Sequence, residues 1–186
     1  AGTSGTSTSQ IKFADTVSIY SDGNSGNGSI VSVPLSEPTG TQDFTLELWY
    51  YGLVGSAGAY SSVLSGGSSS AAFKGVIIGH DNWWLGANTG NITIPNSSNK
   101  ISNNTWQHLA ITRSGGTVYA YKDGVYFGTV TSSMDLDTTE YSLFTRYVGG
   151  SSWLTSGYIQ DFRLTNGLAR YSGTSNFTPP TEPLKG

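Results

Sequence analysis

Cysteine is absent from all 186 positions. A disulfide scaffold, a thiolate metal site and a cysteine nucleophile are therefore excluded. Histidine occurs only at His80 and His108, too few for a multi-histidine zinc site. Charge is scarce as well: Asp, Glu, Lys and Arg make up 11% of the chain, against roughly 25% in ordinary soluble domains. The nine Lys and Arg are scattered and the net charge is −3, which offers no basic face for nucleic acid. No apolar run approaches the ~20 residues needed to span a bilayer. No N-terminal stretch has signal-peptide form, and no segment holds a helical hydrophobic period. The chain opens on Ala1 rather than Met, which reads as a processed or excised part of something longer.

What remains is Ser, Thr, Asn, Gly, aromatics and short β-rich runs, a composition that suits an extracellular or virion-surface protein built on strands and turns. The segment Thr105–Val130 organises the rest. Leu109 and Ile111 alternate with His108, Ala110 and Thr112, the period of a strand with one buried face. Ser114-Gly115-Gly116 breaks that strand, and Thr117–Lys122 begins another. Asp123-Gly124 then predicts a type I′ hairpin turn, which needs positive φ at both central residues. In Asp43–Tyr51, Phe44, Leu46, Leu48 and Tyr50 share one face and Thr45, Glu47, Trp49 and Tyr51 the other. The first set, with Leu109 and Ile111, is the expected inter-sheet core. Further strands are expected over Ile11–Tyr20, Ile30–Val33, Phe73–Ile78, Ile92–Ile94, Leu143–Val148 and Gly157–Thr165. Many short strands with Gly-rich turns predict an all-β fold, a two-sheet antiparallel jelly-roll β-sandwich over residues 11–186. Residues 1–10, rich in Ser, Thr and Gly, read as a flexible arm or linker. An arm so polar would gain order by adding a strand to a neighbour's sheet edge, so a homo-oligomer or multi-copy assembly is expected.

Signals for catalysis are poor. No GxSxG elbow exists, and Asp135 and Asp137 lie in a run with no apolar alternation. Asp22 and Asn24 fail the EF-hand pattern, since Gly26 stands at loop position five and Val33, in place of Glu, at position twelve. The polar aromatic stretch His80-Asp81-Asn82-Trp83-Trp84, joined by Trp153, is the candidate glycan-binding surface. Sugar C–H faces pack on aromatic rings, and sugar hydroxyls seek Asn, Asp and His. If this stretch is instead a strand, Trp83 and Trp84 point to opposite faces and one of them is core. Trp49 and Trp106 read as structural.

Three motifs carry a resemblance. Trp106-x-His108-Leu109-Ala110-Ile111-Thr112-Arg113 with Tyr121-x-Asp123-Gly124-Val125, the strand FTLELWYY and the closing strand GYIQDFRLT together resemble laminin-G-like, concanavalin A-like domains. The tail DFRLTNGLARY…NFTPPTEPL is similar to tails of domains in phage virion proteins. The resemblance covers roughly Ile11–Leu184. It implies a non-catalytic virion-surface adhesion or structural module, with other virion proteins, copies of itself or a cell-surface polysaccharide as partners. A secreted bacterial carbohydrate-binding module is the alternative. Glycosidases of this fold carry Glu-x-Asp-x-Glu on one strand, and here that strand offers only Glu47, short of the two carboxylates glycoside hydrolysis uses. The resemblance also implies a structural Ca²⁺ held by Asp161 with backbone oxygens from near the N-terminus; a pair between Asp161 and Arg163 is the other reading.

Overall fold

The computed structural model describes residues 2–24, 31–54, 61–66, 74–87, 90–94, 100–146 and 154–184. In chain order the strands are β1 Ser4–Ser7, β2 Ser18–Ser21, β3 Val31–Pro34, β4 Phe44–Gly52, β5 Ser62–Gly66, β6 Val76–Gly79, β7 Trp83–Ala87, β8 Gly90–Ile94, β9 Trp106–Ser114, β10 Thr117–Lys122, β11 Val125–Thr131, β12 Glu140–Leu143 and β13 Gly157–Asn166. They form two sheets: a seven-stranded one ordered β1-β2-β13-β4-β9-β10-β11, and a six-stranded one ordered β3-β12-β5-β6-β7-β8. Every strand pairing is antiparallel, and none of the described residues is helical. The expected β-sandwich is the fold observed.

Alternation builds the interior. Phe44, Leu46, Leu48 and Tyr50 of β4 and Leu109 and Ile111 of β9 are fully buried in one cluster with Val63, Leu64, Val76, Ile78, Trp83 and Leu85 of the facing sheet. Both turns of the central meander follow from their residues. Gly115 and Gly116 have φ of 55° and 78°, and Asp123 and Gly124 have φ of 53° and 74°, the left-handed pairs that let two-residue hairpins follow the strand twist.

Several segments depart from the sequence expectation. Ser4–Ser7, expected to be flexible or docked on another chain, is the edge strand of this chain's own sheet, with Ser4 opposite Ser21 and Ser7 opposite Ser18. Ser18 Oγ donates to the carbonyls of Ser7 and Gln10, and Thr3 N and Oγ1 donate to Asp22 Oδ2. A short loop closes the pair, so the nearest free edge is won by the local segment at small entropic cost. Ile11–Val17 is not a strand: a left-handed Asp15 (φ 59°) turns the chain, and Phe13 packs on Trp49. The strand expected at Leu143–Val148 instead covers Glu140–Leu143, and Phe144 (φ 65°) ends it. Within the expected Phe73–Ile78, the strand begins at Val76, and Phe73, like Ile30, lies outside the described residues.

Candidate functional site

The stretch read as a polar recognition loop is largely sheet. His80-Asp81-Asn82 is the tight connection between β6 and β7, closed by Gly79 N donating to Asn82 O at 3.0 Å. Trp83 and Trp84 begin β7, paired on both sides by β6 and β8. Trp83 is 0% exposed and meets Phe127 edge-on at 4.8 Å between the sheets. Trp84 points to the other face, yet it is only 8% exposed, with the Arg146 guanidinium 5.3 Å from its ring centroid. Neither ring offers a free face to a sugar. His80 is 3% exposed; its Nε2 lies 2.9 Å from Thr155 Oγ1 and 3.2 Å from Tyr50 OH. Burial pushes its pKa down to about 4, against a smaller opposing pull from Asp81. Asp81 pairs with Lys100 at 3.0 Å, and Asn82 is half-buried. Trp153 lies outside the described residues.

Aromatic groups do gather, but on the outer face of the seven-stranded sheet. Because Ile19, Tyr50, Leu109 and Ile159 point inward, alternation sends Tyr20, Tyr51, Trp106 and Tyr158 outward. Strand register then sets these four directly opposite one another: Tyr20 against Tyr158, Tyr158 against Tyr51, Tyr51 against Trp106. Neighbouring ring centroids lie 5.0, 6.1 and 5.7 Å apart. All four residues are half-exposed. Four strands about 4.8 Å apart make a row roughly 14 Å long, enough for a short oligosaccharide. Asp22 stands at the Tyr20 end; burial raises the Tyr20 pKa, and the Tyr158 and Asp22 fields add to that. The row was not picked out from the sequence. Its signal was there in part, since each member is a large aromatic at a position out of phase with the core.

The rest of this face is covered. One step along the strands, Trp49 lies under Phe13, and Lys12 Nζ sits 4.0 Å above its ring. Beyond it the segment after β13 crosses the sheet. Tyr171 and Phe177 stack at 3.7 Å, and Thr112 Oγ1 and Tyr121 OH donate to the carbonyls of Tyr171 and Gly173. Beneath them Glu47 is 0% exposed. Its Oε1 accepts Arg163 Nε at 3.0 Å and Nη2 at 2.6 Å, and its Oε2 accepts Tyr171 OH at 2.9 Å and lies 3.1 Å from His108 Nε2. Burial alone would push the Glu47 pKa up; the bonds from His108, Arg163 and Tyr171 and the Arg163 charge outweigh it and hold the pKa below the usual value. This carboxylate is an ionised junction that ties β4 to Arg163 of β13, His108 of β9 and Tyr171 of the tail.

Asp161 sits at an irregularity between Gln160 and Arg163 where β13 leaves register with β4, in a left-handed conformation (φ 55°). Its Oδ2 accepts the Leu184 N–H at 3.0 Å and so ties down the end of the tail. Arg163, its alternative partner, is engaged by Glu47 instead. Among the described residues no three His, Asp or Glu side chains converge as a metal-ligating group, and Asp161 faces an N–H donor where a cation would need further oxygens.

Comparison with known proteins bears on the family. No curated protein matches the sequence. Among solved structures, domain 4 of AbnA, a GH43 extracellular arabinanase from Geobacillus stearothermophilus in complex with arabinotriose, superposes with a TM-score of 0.66 at 16% identity, over 90% of this chain and 77% of that one. The botulinum neurotoxin serotype D binding domain gives 0.59 at 14% identity, over 91% and 43%. A putative carbohydrate binding protein from Bacteroides ovatus gives 0.55 at 16% identity, over 75% and 42%. At such identities these likenesses speak for the fold. The family model described as concanavalin A-like lectin/glucanases superfamily, a laminin-G model, matches residues 22–169. The chain belongs to this laminin-G-like branch of the concanavalin A-like lectin/glucanases superfamily.

Proposed function

We propose that this chain is a non-catalytic glycan-binding module whose site is the row Tyr20–Tyr158–Tyr51–Trp106. The observation that carries the reading is the placement of four half-exposed aromatics at one register across four adjacent strands. Large rings on the outward face contribute nothing to the inter-sheet core. Aromatic faces take the C–H faces of sugars, and the three phenols supply hydroxyl partners. The fold neighbours include a domain holding arabinotriose and a putative carbohydrate binding protein, which supports the same class of ligand. The non-catalytic part rests on Glu47, whose Oε1 is engaged by Arg163 of β13 and whose Oε2 is engaged by Tyr171 of the tail. The resemblance of the closing segment to phage virion domains supports a place on a virion surface, where the row would serve host attachment.

Titration of the protein with a panel of neutral and acidic oligosaccharides, followed by tryptophan emission, tests this. Binding should shift the emission, and Trp106→Phe should abolish most of the shift while the melting temperature stays close to that of the parent. A panel-wide absence of binding by the folded protein refutes the glycan role.

A further inference from the structure

The relative tilt of the rings bears on which kind of glycan fits. Tyr20 and Tyr158 are inclined by 38°, Tyr158 and Tyr51 by 75°, and Tyr51 and Trp106 by 60°. No two neighbours are coplanar. A flat, crystalline ribbon such as cellulose presents its sugar faces in one plane and needs a coplanar platform to meet several of them at once. On this row, neighbouring ring planes are inclined to one another and share no common plane. A rigid flat ribbon would touch one ring and lose the others, whereas a single chain whose successive sugars rotate can present a face to each in turn.

Charge narrows the class further. None of the four row residues is cationic, and the charged neighbour at the Tyr20 end is the carboxylate of Asp22. On the same face, Arg163 is bound to Glu47 and Lys12 lies over Trp49. Recognition of uronate or sialate carboxylates relies on Arg or Lys turned toward them, and a carboxylate at one end of the row repels them.

Resting on the glycan-binding reading above, we infer that the row takes a soluble, neutral polysaccharide as a single chain whose successive sugars turn relative to one another, and rejects flat crystalline ribbons and polyanionic chains. Native gel retardation with linear arabinan, laminarin and polygalacturonate, together with depletion by microcrystalline cellulose, is the test. At least one of the two neutral soluble polymers should retard the protein, while cellulose leaves it in solution and polygalacturonate leaves its mobility unchanged. The double variant Tyr51→Ala, Tyr158→Ala should lose about tenfold or more in affinity, corresponding to ~1.4 kcal/mol. The double variant Tyr51→Phe, Tyr158→Phe keeps the rings and removes only two phenol hydroxyls, so it should lose less affinity than the alanine variant; a folded phenylalanine variant with no remaining retardation would show that ring contact does not carry the binding. Depletion by cellulose, or retardation by polygalacturonate with or without a neutral polymer, overturns this inference and leaves the glycan-binding reading standing. No interaction with any of the four polymers overturns both.

Discussion

Stability should fall on mild acidification because of one residue. His80 is buried with its Nε2 facing Thr155 Oγ1 and Tyr50 OH, and Tyr50 OH donates onward to Ser156 O at 3.0 Å. The neutral ring fits that site as an acceptor; a proton on Nε2 would be a buried charge that the weaker pull of Asp81 does not offset. The folded-state pKa is lowered from 6.5 to about 4, so the unfolded chain binds a proton in that window while the folded one does not. Stability must then decline as pH falls from 6.5 toward 4. At one pKa unit to ~1.4 kcal/mol, the full effect is about 3 kcal/mol, of which about 2 kcal/mol is lost between pH 7 and pH 5. In that upper part of the window the difference between parent and a His80 variant isolates His80. Glu47, also held below its usual pKa, withdraws its own contribution only as pH drops through the acidic carboxylate range. Urea unfolding at pH 7, 6 and 5 measures the slope, and His80→Gln removes the titrating ring at similar size. The variant should be less stable at pH 7 and show a slope flatter by about 2 kcal/mol over the two units. Equal slopes in parent and variant would refute the assignment of a buried, neutral His80.

Three further outcomes follow from packing. Leu109→Ala, at a fully buried site between the sheets, should cost roughly 2–5 kcal/mol in urea unfolding; a loss under half a kcal/mol would take Leu109 out of the core. In Gly124→Ala the new Cβ would sit 1.9 Å from Phe177 O on a residue with φ of +74°, so the tail must move. Faster tryptic cleavage after Arg170 is expected, and unchanged cleavage would show that the tail does not depend on that contact. Deleting residues 1–10 removes β1 and the carbonyls that accept Ser18 Oγ, and the melting temperature should drop by a few degrees, about 2–4 °C per kcal/mol for a domain of this size. An unchanged melting temperature would mean that β1 adds nothing to the folded sheet.

The sequence by itself determined the local matters: the strand period of β4 and β9, the inward set from Phe44 to Tyr50, and the two hairpins at Gly115-Gly116 and Asp123-Gly124. Each depends on a pleat of period two or on residues that tolerate positive φ, and both are properties of neighbours in the chain. Only the tertiary structure decided the site. Tyr20, Tyr51, Trp106 and Tyr158 come from four segments far apart in sequence, and they form a row because β2, β13, β4 and β9 are neighbours in one register. That register is fixed by inter-sheet packing of Ile19, Tyr50, Leu109 and Ile159, a long-range condition that no window of sequence contains. The same holds for the tryptophans. Trp83 and Trp84 sit in one short polar, aromatic stretch, but a strand on either side, Phe127 across the core and Arg146 on the far face bury both of them. Trp106, which reads as structural in sequence, is left half-exposed because the tail and the segment around Phe13 cover the rest of its sheet and stop short of it.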